Sequence, residues 1–127
     1  MAFFIMNEAG YKHLTRSHNG EVGRYLTIVG AKLKYLAKYQ AGRKTGALMN
    51  SMNYKLTSSS RGLVVLVGSD NRVALMHHQG TRPHIIAARR AKTLRFYSHG
   101  RIVYAKVVHH PGTRPNRYLT DNLRKVI

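Results

Sequence analysis

The residues that could do chemistry in this chain are concentrated in a repeated octapeptide. HHQGTRPH at residues 77–84 recurs as HHPGTRPN at residues 109–116, with six of eight positions identical at a spacing of 32. Gly80 and Gly112 permit the positive φ of a turn. Pro83 and Pro115 drive the preceding Arg82 and Arg114 into extended geometry. Each copy therefore reads as a rigid turn from which an arginine projects. Three uses fit that pattern. The copies can be turn-forming loops at equivalent ends of a sheet. They can recognise phosphate or an acidic partner through Arg82 and Arg114, with Thr81 and Thr113 as further donors. Or they can hold a metal, because five of the eight histidines lie in them: His77, His78, His84, His109 and His110. Imidazole suits zinc, copper or nickel. No carboxylate lies close in sequence to serve as ligand or to orient one. Adjacent histidines on a strand also point to opposite faces, so at most one of each pair can converge on a metal.

Acid–base catalysis has little to draw on. The only acids are Glu8, Glu21, Asp70 and Asp121, and there is no cysteine. A paired-carboxylate site is nearly impossible, and a thiol nucleophile, disulfide or Cys-based zinc site is impossible. A nuclease could use His109 and His110 as base and Arg114 as phosphate clamp. Asn116 is then the one nearby polar residue of the metal-holding kind, and no acid is adjacent. The sequence assigns no catalytic residue, no cofactor and no metal.

Charge is the dominant signal. The chain has 127 residues, and 22 Lys and Arg against four acids give a formal net charge of +18. Like charges at that density repel across a compact body unless a polyanion or acidic partner is near. Nucleic acid is the default polyanion. The length fits one domain, residues 1–127, with residues 1–18 as a possible N-terminal arm. No apolar run reaches the length of a membrane span. MAFFIMNEAG lacks the basic leader and long apolar stretch of a secretory signal, which points to a cytosolic product.

The elements that must carry these residues follow from periodicity. A short apolar run at residues 3–6 reads as a strand or anchoring arm, and residues 7–17 show weak helical spacing. Asn19 can cap a helix over residues 20–40, with Val22, Tyr25, Leu26, Val29, Leu33, Leu36 and Tyr39 or Gln40 on its apolar face. The aromatic stripe reads as core, and close packing can explain Gly23 and Gly30. Gly42 ends the helix. A basic turn with Arg43 and Lys44 leads to a strand at Tyr54 and Leu56. A turn over residues 58–62 follows, then a β-branched strand, residues 63–67, buried on both faces or at a subunit contact. Residues 73–76 fit a helical turn or a strand. Residues 82–95 carry Arg82, Arg89, Arg90, Lys92 and Arg95 with few apolar anchors, which predicts an extended basic loop. Strands are expected over residues 93–97 and 101–108, and Pro115 can open a short C-terminal helix at its first turn. Tyr118, Leu119, Leu123 and Val126 would form that helix's apolar side. The fold class is α+β: a long N-terminal helix packed on a small antiparallel sheet, a basic extended loop and a short C-terminal helix.

The order of these motifs resembles the neck or tail-completion proteins of long-tailed bacteriophages, the minor tail components of the lambda tail protein Z-like group. The resemblance rests on K-T-G-A-L (residues 44–48) after a long helix and on H-x-G-T with R-P-H-I-I (residues 78–86). It continues through L-R-F (residues 94–96) and H-P-G-T-R-P-N-x-Y-L (residues 110–119), and spans about residues 20–125. Two positions depart from the family pattern: His78 stands where many members carry an acid, and Tyr118 where Phe is common. The resemblance implies a non-enzymatic virion protein that forms a homo-oligomeric ring, a hexamer, around the DNA channel of the head–tail joint. Its partners would be a head-closure (stopper) or portal-side ring, the tail terminator and tail tube, and duplex DNA bound without regard to sequence. Arg43, Lys44, Arg82, Arg89, Arg90, Lys92, Arg95 and Arg114 are the candidate contacts to DNA or to a neighbouring ring. Phe3, Phe4, residues 63–67 and the terminal helix are candidates for subunit contacts. The alternative is a free, sequence-independent nucleic-acid binder, ribosomal-like or architectural. A helix-turn-helix spacing, an aromatic RNA-binding strand and a zinc-finger pattern are all lacking.

Overall fold

A computed structural model describes residue 3 and residues 5–127, so Phe4 lies outside the described residues. Phe3, Ile5 and Met6 belong to no helix or strand and are exposed. Within the expected arm, helix α1 runs over Glu8–Arg16. Asn7 caps it by accepting the Gly10 N–H at 3.0 Å, and Glu8 and Arg16 sit at the ends the helix dipole favours.

Helix α2, Glu21–Ala41, is the spine. Gly20 rather than Asn19 is its N-cap, and no side chain caps it. The turn from α1 is tight there: Gly20 presses on the backbone carbonyls of His13 and Leu14, where only a residue without Cβ fits. The buried face is made of small and medium residues, Val29, Gly30, Leu33, Ala37 and Ala41. A Cβ on Gly30 would meet Val65 at 2.6 Å and Tyr54 at 3.0 Å, so this glycine lets the neighbouring sheet come close. The expected aromatic core face is corrected accordingly. Tyr25 and Tyr39 are exposed, and with Ile28 and Tyr35 they line the outer side of α2. The inner face is narrow because the sheet is so near.

Helix α3, Ala47–Ser51, leads into β1, Met52–Ser59, which pairs antiparallel with β2, Gly62–Ser69. This ribbon packs across α2. Strand β2 is not buried on both faces: Val64 and Leu66 are exposed, while Val65 reaches α2. Residues 73–79 resolve as helix α4, Val73–Gln79. The expected loop over residues 82–95 contains strand β3, His84–Ala87, and the start of β4, Leu94–Ser98. The single strand expected over residues 101–108 is two, β5 (Arg101–Ala105) and β6 (Val107–His110), broken at Lys106. Helix α5, Thr120–Val126, starts well after Pro115. Pro115 is instead held under Gly80, and Asn116 is tied by its side chain to α2.

The architecture is α+β, with a long helix on antiparallel structure and a short C-terminal helix. The sheet is three separate two-stranded ribbons: β1–β2, β3–β6 and β4–β5. The core gathers Ala37, Ala41, Met52 and Tyr118, flanked by Leu48 and Leu119. Tyr118 is 1% exposed and precedes α5 rather than lying on it. Its hydroxyl donates to the Ala74 carbonyl at 2.8 Å, which joins α4 to the C-terminal segment. Among the described residues, no helix is long and apolar enough to cross a membrane.

Candidate nucleic-acid interface

The two octapeptides are partners. Thr81 and Thr113 form an antiparallel bridge in which each N–H donates to the other's carbonyl at 3.0 Å. Their hydroxyls are 3.3 Å apart. The 32-residue repeat spacing is the separation of this pair, so a local two-fold relates one copy to the other. The contacts obey it. Gly80 (φ 75°) presses on the Thr113 carbonyl and Pro115, while Gly112 (φ 88°) presses on the Thr81 carbonyl and Pro83. The expectation of two loops at equivalent ends of a sheet is thus corrected to two halves of one clamp.

The register of this clamp continues outward. Thr81 faces Thr113, His84 faces His110 and Ala87 faces Val107. The Ala88 N–H donates to the Lys106 carbonyl at 3.0 Å in the same register. The ladder lapses only where Pro83 stands opposite Pro111, because neither has an N–H to give. Beyond it, Leu94 pairs with Ala105 and Ser98 with Arg101. That step leaves residues 89–93 unmatched on one strand. Residues 81–113 therefore make one long hairpin arm. The octapeptide clamp is at its base, and a five-residue basic bulge carrying Arg89, Arg90 and Lys92 is in its middle. Strands β4 and β5 pack chiefly on each other.

The outer part of the arm has two unlike faces. Alternation along the paired strands puts Arg95, Tyr97, Ile102 and Tyr104 on one side. All four are exposed, Tyr97 at 74%. Leu94, Phe96, Val103 and Ala105 are half-buried on the other. Between Asp70 and Asp121 the chain has no acid and ten Lys and Arg.

All eight sequence-nominated cations are exposed. Arg89, Arg90, Lys92 and Arg95 come together on the arm, and Arg82 and Arg114 flank its base. Arg43 and Lys44 stand apart, in the loop after α2. Lys44 shares a cavity of about 410 Å³ with Thr81, His84, His110 and Thr113. Among the described residues the ion pairs are Lys12–Glu8 (4.0 Å) and Arg24–Glu21 (3.6 Å), both exposed and both on the first two helices. None of the eight candidates is paired with an acid.

The histidines divide by role. His77 and His78 lie on a helix, so strand alternation does not apply to them. His77 Nε2 is 3.0 Å from the Ala41 carbonyl, closing α4 onto the end of α2. His78 sits edge-on to the Tyr118 ring, centroids 5.1 Å apart, with its Nε2 buried and unpartnered. His84 and His110 stack at 4.9 Å. Among the described residues, no three His, Cys, Asp or Glu side chains assemble as a metal ligand set.

Sequence reasoning missed a polar clasp. Asn116 donates to the Gln40 carbonyl at 3.0 Å, and Gln40 Nε2 reaches Asn116 Oδ1 and Asp121 Oδ2, both at 3.2 Å. Buried Asn122 donates to Gln40 Oε1 and to the Tyr118 carbonyl, both at 2.7 Å. One signal marked it: the octapeptides differ at their last position, where His84 bonds only locally, to the Arg82 carbonyl, and Asn116 reaches across to α2. Comparison with known proteins finds no matching family, curated protein or solved structure.

Proposed function

We propose that this chain is a structural subunit of a ring at the head–tail joint of a long-tailed phage. In this reading it acts in the virion after assembly in the host cytoplasm. The arm of residues 81–113 contacts duplex DNA in the channel or the adjoining head-closure or tail-terminator ring. The observation that carries the reading is that arm: acid-free, basic at its bulge, exposed along one face and packed mostly on itself. Arginines and lysines with no acid to pair with attract phosphate from any sequence, because phosphate contacts position a protein without reading bases. The reading assigns no catalysis.

Surface area favours an assembly over a free monomeric nucleic-acid binder. The chain exposes 10760 Å². A compact monomer of 14.4 kDa exposes about 6,800 Å². The excess, about 3,900 Å², is more than two neighbours of standard interface size would cover on one subunit. Native mass spectrometry with and without a short duplex, alongside binding to two duplexes of unrelated sequence, tests the proposal. Multiples of 14.4 kDa and equal affinity for both duplexes are expected. A chain that stays monomeric under all these conditions overturns it.

A further inference from the structure

We infer that the apolar N-terminal segment of one copy seats in the cavity between α3, α4 and the octapeptide clamp of a second copy. The inference rests on the assembly reading and names a contact within it. The segment and the cavity are complementary, and within one chain they are apart: Phe3, Ile5 and Met6 are exposed and none of them lines the cavity.

The cavity, about 410 Å³, is lined on its apolar part by Leu48, Met49, Val73, Met76 and Ile86, of which Val73, Met76 and Ile86 are exposed. Two methionines make that lining adaptable to an incoming side chain. Its polar part holds Lys44 and the histidines of the clamp, and no acid lines it. The segment offers Phe3, Ile5 and Met6, exposed at 82%, 96% and 64%. Glu8, one of only four acids in the chain, follows after Asn7 and faces Lys12 in an exposed pair. An apolar segment with an exposed carboxylate behind it suits an apolar lining that carries Lys44 and no acid.

A second copy is the better-placed occupant. The cavity lies at the C-terminal end of α2, beside Ala41 and Gly42. α1 joins the other end of α2, which at 21 residues is about 31 Å long. α1, nine residues, spans about 14 Å even if folded straight back along α2. The extended step from Asn7 to Ile5 adds about 7 Å. Ile5 therefore stops about 10 Å short of its own cavity, and Phe3 comes within about 3 Å of it only with α1 laid straight along α2 and residues 3–7 fully extended. A segment that leaves one end of a subunit and enters the other end of the next makes a head-to-tail contact, and such contacts close into rings when the rotation allows.

The absence of native cysteine makes the test direct. Full-length Ile5→Cys and Met49→Cys proteins are mixed and oxidised, with Thr45→Cys at the cavity rim as a second acceptor and Tyr39→Cys on the outer side of α2 as control. An intermolecular disulfide from position 5 to 49 or 45, in clear excess over 39, is the expected result. Ile5→Asp is expected to weaken assembly by about tenfold or more. Native masses that stay multi-copy, with no preference for 49 or 45 over 39, overturn this contact while leaving the ring reading intact. A chain that is monomeric throughout overturns both.

Discussion

Gly80 and Gly112 carry the clamp at the scale of single residues, and their symmetry makes a sharp prediction. Each has positive φ, and each faces the other copy's threonine carbonyl so closely that a methyl group has no room. Gly100 also has positive φ (80°), at the tip of the β4–β5 turn, but nothing lies within 4 Å of where its Cβ would be. Gly100→Ala should destabilise by about 1–2 kcal/mol, the backbone term alone. Gly80→Ala or Gly112→Ala should lose about 3 kcal/mol, as packing conflict adds to strain. Urea unfolding followed by circular dichroism separates the two classes. Tyr118 gives a second test. Burial raises its phenol pKa above the ordinary value of 10.0, so the folded state holds the proton longer than the unfolded chain. The resulting stability is complete below about pH 10 and is lost as pH climbs through the raised value. The alkaline fall in melting temperature should therefore be shallower in Tyr118→Phe, and the variant should be about 1–2 kcal/mol less stable at neutral pH for want of a donor to Ala74. The repeat was legible from residue identities, and so was the need for glycine. That the copies grip each other was not, because identity between two segments does not say what either one touches.

The hairpin arm explains why elements were read less well than residues. Residues 82–95 look like a loop because Ile85 and Ile86 are the only sizeable apolar residues before Leu94, and both are exposed. Strand β3 exists through its backbone bonds to β6, 20 to 26 residues away, and a pattern of hydrophobicity carries no trace of such pairing. The bulge is equally hidden, since it is the difference between two registers. Helix α2 shows the opposite error: Tyr25 and Tyr39 fit a helical period, yet alanine and glycine were the residues a close sheet required. The bulge also gives the arm its test. Alanine at Arg89, Arg90 and Lys92 together removes three exposed cations from a segment with no packing role. Stability should stay within about 0.5 kcal/mol. Duplex affinity should fall, and the slope of log affinity against log salt should flatten by about 0.9 for each phosphate no longer neutralised. Filter binding across a salt series reads both. An unchanged slope would place the bulge against protein rather than DNA.

For the whole molecule, the net charge and the exposed surface pull in opposite directions, and salt separates them. The described core contains few large side chains: Met52 and Tyr118 are the two largest apolar ones fully buried. Exposed Tyr25 and Tyr35 lie on α2, Leu66 on β2, Tyr97 on β4 and Ile127 after α5, so no single patch accounts for the uncovered area. Neighbouring copies can cover it, but six of them would pool a formal charge of about +108. Contacts between such copies would be apolar attraction opposed by cation repulsion, and screening weakens only the second over distances beyond about 8–10 Å. Assembly of the free protein should therefore strengthen as salt rises, while at low salt a duplex should promote assembly, because its phosphates supply the counter-charge. DNA binding by the same protein should weaken as salt rises. Sedimentation velocity of the chain alone and with duplex, across one salt series, reads both curves. A protein held together by ion pairs between copies would instead fall apart as salt increased, and with only four acids in each chain there is little from which to build such pairs.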